Sequence, residues 1–366
     1  MPCLLLHIGS PKAGSSAIQA SLERQATRRS AWPWSSRRWR CLPANPYGST
    51  YPSGFIAAAY LSADRLPRYL QLRQQADSRA FQRDLQRYQA LLRRQLQPRW
   101  RPAPAGAVLS CEYLWRLPEE RILQLRRDFE ARGVEQFRVI AYVREPSSLY
   151  GSALQQWARL SSDLQRFDPC QWRYELRRRL EAWGAVFGAD LVVRAFERQQ
   201  LHAGCVVKDL QQQALAWLGQ DRWPLELTAS DPVNSSTTAE ALFAMQALMA
   251  RQPAPSAAIS SRRSRELGRL WERMQASADS RAGTPIRLRP EVVALIQRCH
   301  QDDLDWLAAT HGVRFAQTPA TADGAPPQAT PPDRSTWSLE QLVQPPGHPE
   351  LLGQLQAQLA SVTLPD

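Results

Sequence analysis

Four short, mainly apolar runs, the first of them continuous, set the strongest limit on what this chain can fold into. They are CLLLHI (residues 3–8, closed by Gly9), AGAVLSCE (105–112), FRVIAYV (137–143) and DLVVRAFE (190–197). A strand with no polar alternation is buried on both faces, which is the pattern of a parallel sheet covered by helices. Helix-period segments stand between the runs. Ile18 and Leu22 share a face after the first run, residues 118–132 form a helix stopped at Gly133, and Pro146 suits a helix's first turn. Trp172, Leu176, Leu180, Trp183 and Phe187 mark a further amphipathic helix before the fourth run. Strands alternating with helices require right-handed crossovers, so the expectation is an α/β fold with a central parallel sheet flanked by helices.

The remainder is organised around that frame. Residues 31–104 read as an insertion, irregular and aromatic to about residue 60, then helical and Arg-rich over 63–97, with Pro98 to Pro104 ending it. The C-terminal part reads as mainly helical. Thr237-x-x-Glu240 has the form of a capping box, and one helix is expected from Pro290 to Gly312 through Val292, Ile296, Leu304 and Leu307. One domain therefore spans 1–315. Nine of the 28 prolines fall in residues 316–366, which read as a disordered tail with a short helix near 349–361.

Composition excludes several classes. No apolar run approaches the ~20 residues of a membrane helix, and the N-terminus lacks a basic region ahead of its short apolar run. Six cysteines in 366 residues, with no C-x-x-C pair, are neither a disulfide framework nor a zinc site, and the five histidines form no ligand motif, so no metal is expected. These features fit a cytoplasmic protein. The net charge is +12, and the basic side is lopsided, with 44 arginines against Lys12 and Lys208. Codon bias accounts for arginine in bulk. The excess nevertheless favours an anionic ligand, since the guanidinium forks onto phosphate, sulfate and carboxylate.

The sharpest motif is the loop Gly9-Ser-Pro-Lys-Ala-Gly-Ser-Ser16 between the first strand and its helix. Small residues at such a junction present backbone N–H groups and a helix N-terminus to an anion. Gly9 and Gly14 match the spacing of the nucleotidase P-loop, G-x-x-x-x-G-K-[ST], and the expected fold is P-loop-like. Ser15, however, stands where that motif has lysine, and the lysine lies inside the loop at Lys12. No acidic residue at a strand end is an obvious magnesium partner: after FRVIAYV come Arg144 and Glu145, and Glu145 is a weak candidate.

HIGSPKAGSSAIQ resembles the 5′-phosphosulfate loop, P-K-x-G-[ST]-[ST], of sulfotransferases that use 3′-phosphoadenosine-5′-phosphosulfate. Arg144-Glu-Pro-Ser-Ser-Leu-Tyr-Gly-Ser152 resembles the second half of that signature, an arginine at a strand end and a serine eight residues on. The likeness extends loosely over residues 1–315, toward bacterial, carbohydrate-type members. It departs in having Ser-Ser where Thr-Thr is commoner, and Phe196 where some relatives have tyrosine. The resemblance implies sulfuryl transfer from that nucleotide, without a metal, to a hydroxyl or amine of an acceptor, a glycan. It places Lys12, Ala13, Gly14, Ser15 and Ser16 at the 5′-phosphate, Arg144 and Ser152 at the 3′-phosphate, and Phe196 beside the adenine. Lys12 would stabilise charge growing on the bridging oxygen.

Glu112, just past the second run at the carboxyl edge of the sheet, is the first candidate for the base, with His7 its rival. Arg28, Arg29, Trp32, Trp34, Arg37, Arg38, Trp39 and Arg40 crowd one segment, which reads as an acceptor region for sugars and anionic groups, as a grip on single-stranded nucleic acid, or as a solvated basic loop with its tryptophans turned inward. Two other readings stay open: a P-loop kinase, opposed by the position of Lys12, and an Arg-rich nucleic-acid-binding module, which leaves the two phosphate motifs unexplained.

Overall fold

A computed structural model of the chain describes residues 3–28, 39–47, 53–96, 105–221, 225, 227, 238–253, 261–276, 283–316 and 337–365. In chain order the elements are β1 (Cys3–His7), α1 (Ser15–Arg28), β2 (Trp39–Cys41), α2 (Gly54–Ala58), α3 (Arg68–Ala76), α4 (Ser78–Leu96), β3 (Gly106–Ser110), α5 (Glu119–Glu130), β4 (Gln136–Val143), α6 (Pro146–Ala158), α7 (Leu176–Phe187), β5 (Leu191–Ala195), α8 (Val206–Leu218), α9 (Ala239–Arg251), α10 (Ser261–Ala276), α11 (Pro290–Cys299), α12 (Gln301–His311), α13 (Leu339–Leu342) and α14 (Pro349–Gln358). Among the described residues no helix is long and apolar enough to cross a membrane. The chain divides into two compact units: Met1–Arg144, Glu175–Val233 and Asp303–Ala316 in the first, and Glu145–Tyr174, Asn234–Asp302 and Gln317–Asp366 in the second.

The first unit is an α/β fold on a five-stranded parallel sheet of order β2-β3-β1-β4-β5. The four apolar runs supply β1, β3, β4 and β5. Alternate residues of a strand point to opposite faces, and both faces are covered. On one, Leu5, Val108, Ile140 and Tyr142 pack with Ile18 and Leu22 of α1 and Val207 and Leu210 of α8. On the other, Phe137 meets Phe187 of α7 at 5.5 Å, and α7 lies against α5. The result is three layers, helix, sheet and helix, as the sequence predicts.

Edge strand β2 was not legible in the sequence. Its three residues fall in the aromatic stretch, and Trp39 is buried because Gly106 of the neighbouring strand leaves room for its ring: a Cβ there would lie 2.6 Å from Trp39 Cε2. The Arg-rich helical stretch is divided into a 3-10 turn (Ala63–Arg65), α3 and α4. Phe81 and Tyr88 on the inner face of α4 pack on Phe55 of α2.

The second unit is helical in its described residues, with two apolar clusters. One joins Tyr150 and Leu154 of α6 to Leu242, Val292, Ile296, Leu339 and Leu342. The other joins Met245 and Leu248 of α9 to Leu267 and Leu270 of α10 and to Leu355, Leu359 and Leu364. Three expectations are corrected here. The N-cap of α9 is Thr238, whose hydroxyl accepts from Ala241 N, and Glu240 forms no capping box because its carboxylate instead accepts from the Thr284 and His348 amides. The helix from Pro290 breaks at His300, whose Nε2 accepts the Tyr174 amide. The short helix expected near 349–361 is α14, but residues 337–365 are no disordered tail: the apolar side chains set between their prolines are buried in both clusters. Residues 317–336 lie outside the described residues.

Candidate functional site

The site grows from the carboxyl end of β1. Pairing with the neighbours continues past the strand: Cys111 N donates to His7 O at 2.9 Å, Tyr142 N to Gly9 O at 2.7 Å, and Ser10 N to Tyr142 O at 2.6 Å. The loop is therefore anchored on both sides before it leaves the sheet. It then turns through Lys12 and Gly14, at φ +64° and +83°, and α1 begins at Ser15. A lysine in the left-handed region is uncommon and holds only where the surroundings over-determine it. The first-turn amides of α1 have no partner within the helix and face outward from its positive end.

Gly14 is required by sterics as well as by its φ. A Cβ there would lie 2.7 Å from Phe196 Cε2 and 2.8 Å from Val206 Cγ1. Phe196 is placed by its own amide, which donates to Val143 O at 2.6 Å and extends the β4–β5 pairing by one residue. Its ring supports the loop, and the Arg144 guanidinium lies over it at 5.9 Å. Arg144 Nη1 also donates to the Lys12 carbonyl at 3.2 Å. The structure thus brings Lys12, Gly14, Arg144 and Phe196 together. Ala13 is buried in the sheet-side core, Ser15 is buried and Ser16 is exposed in the first turn of α1. Ser152 lies half-buried on α6 in the second unit.

Glu112 opens the 3-10 turn Glu112–Arg116 that follows β3, and its backbone lies against Gly9. Burial raises the pKa of its carboxyl, while the Ser15 hydroxyl and the charges of Lys12 and Arg116 pull it down; burial prevails. A carboxylate so placed, beside a lysine and with its pKa raised toward the operating range, suits proton abstraction. The rival base is placed differently. His7 is fully buried, its Nδ1 is 2.8 Å from Ser110 Oγ, and burial lowers its pKa to about 3. That environment keeps it neutral inside the sheet.

Glu145 is committed elsewhere. It caps α6, accepting from Ser147 N at 3.1 Å, Ser147 Oγ at 2.6 Å and Ser148 N at 2.7 Å. Of the Trp/Arg segment, side chains 28–38 lie outside the described residues. Trp39 is turned inward and Arg40 donates to Gln95.

Two supports escaped the sequence reading. Val206 braces Gly14 from α8. Asp209, fully buried one turn on, accepts from Tyr142 Oη at 2.8 Å, Arg194 Nη2 at 2.7 Å and the His202 amide at 2.9 Å, tying α8 to β4 and β5. In sequence Asp209 follows Lys208 and reads as a surface charge; only the topology shows it facing a strand arginine and tyrosine. No family model matches the chain, and no curated protein matches it.

Proposed function

We propose that this protein is a sulfotransferase using 3′-phosphoadenosine-5′-phosphosulfate, with a glycan hydroxyl (or amine) as acceptor. The observation that carries the reading is the loop itself. A lysine inside the strand–helix turn shares its anion-facing junction with an arginine from the next strand, and with a carboxylate of raised pKa from the strand on the other side. The residues fit the donor. Gly14 lets the loop turn tightly against Phe196 and Val206, Ser15 and Ser16 offer first-turn amides, and Arg144 is the second cation.

In the proposed reaction the acceptor oxygen forms a bond to sulfur as the bridging S–O bond to the 5′-phosphate breaks. Glu112 takes the acceptor proton, and the bond's electron pair leaves on the phosphate, giving adenosine 3′,5′-bisphosphate. Lys12 stabilises the charge that grows on that departing oxygen, an interaction stronger in the transition state than in the ground state.

Titration with adenosine 3′,5′-bisphosphate and, separately, with ATP–Mg tests the reading. Binding of the bisphosphate is expected; tight ATP–Mg binding with no response to the bisphosphate overturns the proposal in favour of a kinase. Lys12→Ala is expected to lower transfer by about 10²–10³ with the fold intact, and Glu112→Gln by about 10²–10⁴ with bisphosphate binding kept.

A further inference from the structure

The first unit carries a surface that the donor site does not use. On α4 the inner face holds Phe81, Tyr88 and Leu92, and the opposite face presents Arg79, Arg83 and Arg87, each four residues apart and each exposed. At 1.5 Å rise per residue the guanidinium stems stand about 6 Å apart along the helix. Like charges at this spacing destabilise a helix. Among the described residues no acidic side chain pairs with these three.

Codon bias does not explain this arrangement, because the same chain pairs its arginines elsewhere. Arg126 is matched to Glu130 on α5, Arg177 to Glu181 on α7, and Arg178 and Arg179 to Glu175. Among the described residues the α4 face is left unmatched along just over two turns.

Beside it stands Tyr47, 58% exposed, the most exposed aromatic among the described residues. The Arg73 guanidinium lies over its ring at 5.6 Å, and Asp84 of α4 holds both Arg73 and the Tyr47 hydroxyl. A ring fixed by planar polar neighbours and open to solvent is a stacking platform, in contrast to the buried rings of the core. The Tyr47 end of this patch lies toward the donor-site side of the sheet, while the arginines stand on the face of α4 turned away from α2. Tyr47 follows β2 at the carboxyl edge, and α2, on which α4 packs, begins next to Ser53, whose carbonyl accepts from Cys111 Sγ, the residue before Glu112.

We infer that Tyr47 and the Arg79–Arg83–Arg87 face bind an acidic polysaccharide, one sugar stacking on the ring while carboxylate or sulfate groups along the chain meet the arginines. This deepens the sulfotransferase reading and rests on it only in making the bound chain the acceptor. Single-stranded nucleic acid fits less well, since it stacks successive bases on successive aromatics and the arginine face has none between its charges. An acidic protein partner lacks the apolar centre that interfaces bury.

Binding of polygalacturonate, neutral dextran and an oligo-dT strand, measured across a range of salt, tests the inference. Polygalacturonate is expected to bind with an affinity that falls as salt rises, and dextran is expected not to bind. The triple variant R79Q/R83Q/R87Q is expected to lose at least about tenfold in affinity and to flatten the salt slope by about two to three. Glutamine's helix propensity is close to that of arginine, so α4 is retained, and R79K/R83K/R87K keeps the slope. Tyr47→Ala is expected to weaken binding with the slope unchanged. Equal binding of dextran, an unaffected triple variant, or tighter binding of oligo-dT overturns the inference, the last in favour of nucleic acid. All variants are expected to hold wild-type affinity for adenosine 3′,5′-bisphosphate. If the wild-type protein binds polygalacturonate as described and not the bisphosphate, the donor reading fails and the surface stands.

Discussion

His7 and Glu112 lie at the ends of adjacent strands, and burial acts on them in opposite senses. It disfavours the charged form of each, lowering the pKa of the imidazole to about 3 and raising that of the carboxyl. For the carboxyl the outcome is a proton acceptor tuned upward. For the imidazole it is a dependence of stability on pH. An unfolded chain takes up a proton at His7 below about pH 6.5, whereas the native chain holds it neutral until about pH 3. The unfolded state therefore binds more protons across that window, and stability falls as pH falls. The slope assignable to this one group is about 1.4 kcal/mol per pH unit. Urea midpoints at a series of pH values, for the wild type and for His7→Gln, isolate it from the carboxylates common to both. The wild-type curve is expected to drop below pH 6.5 more steeply than the variant's. Parallel curves would show that His7 takes up its proton as readily in the native chain as in the unfolded one, and would return it to the list of candidate bases.

At the scale of elements, the loop is stable because three of them converge on it: β4 holds Gly9 and Ser10, β5 delivers Phe196, and α8 delivers Val206. Gly14 is the point of closest approach, so Gly14→Ala tests the convergence. A methyl group 2.7 Å from one ring atom and 2.8 Å from a valine methyl cannot be accommodated without moving β5 or α8, and φ of +83° adds its own cost. The expected loss is about 1–3 kcal/mol of stability, with bisphosphate affinity reduced in parallel. Phe196→Leu in the same chain is expected to recover part of the packing loss and none of the φ cost. A Gly14→Ala chain that melts with the wild type would mean the loop is not braced. How far this was legible follows from the range of each interaction. The strands of β1, β3, β4 and β5 announce themselves because a strand covered on both faces is mainly apolar, with Arg138 and Arg194 the exceptions in β4 and β5, and Gly9 to Ser16 announces itself by local composition. Val206, Asp209 and the burial of Trp39 depend on partners tens to hundreds of residues away, and no local pattern encodes them. His300 ends α11 for the same reason: its helical period runs on, but its ring is committed to the Tyr174 amide.

At the scale of the whole molecule, composition misleads most at the C-terminus. Prolines and glutamines between 316 and 366 predict a chain unable to bury enough apolar surface to fold, yet Leu355, Leu359 and Leu364 are 2%, 4% and 5% exposed, in one cluster with Met245, Leu248, Leu267 and Met274. Among the described residues the prolines there stand at a helix start or outside helices, as Pro349 does at the first turn of α14 and Pro345 and Pro346 do ahead of it. A handful of leucines at the right spacing is sufficient, since each fully buried one contributes about 1.5–3 kcal/mol relative to exposure. Together these three approach the net stability of a typical domain. Removal of residues 337–366 should therefore uncover the apolar faces of α9 and α10, giving a chain that binds a hydrophobic dye and aggregates. Leu359→Ala, a milder change, should lower stability by about 2–4 kcal/mol in denaturant titration, whereas Leu123→Ala on the 38% exposed face of α5 should change it by less than about 0.5 kcal/mol. A truncated chain that melts as the wild type does would make the segment an appendage, and the apolar cluster of the second unit would have to be complete without it.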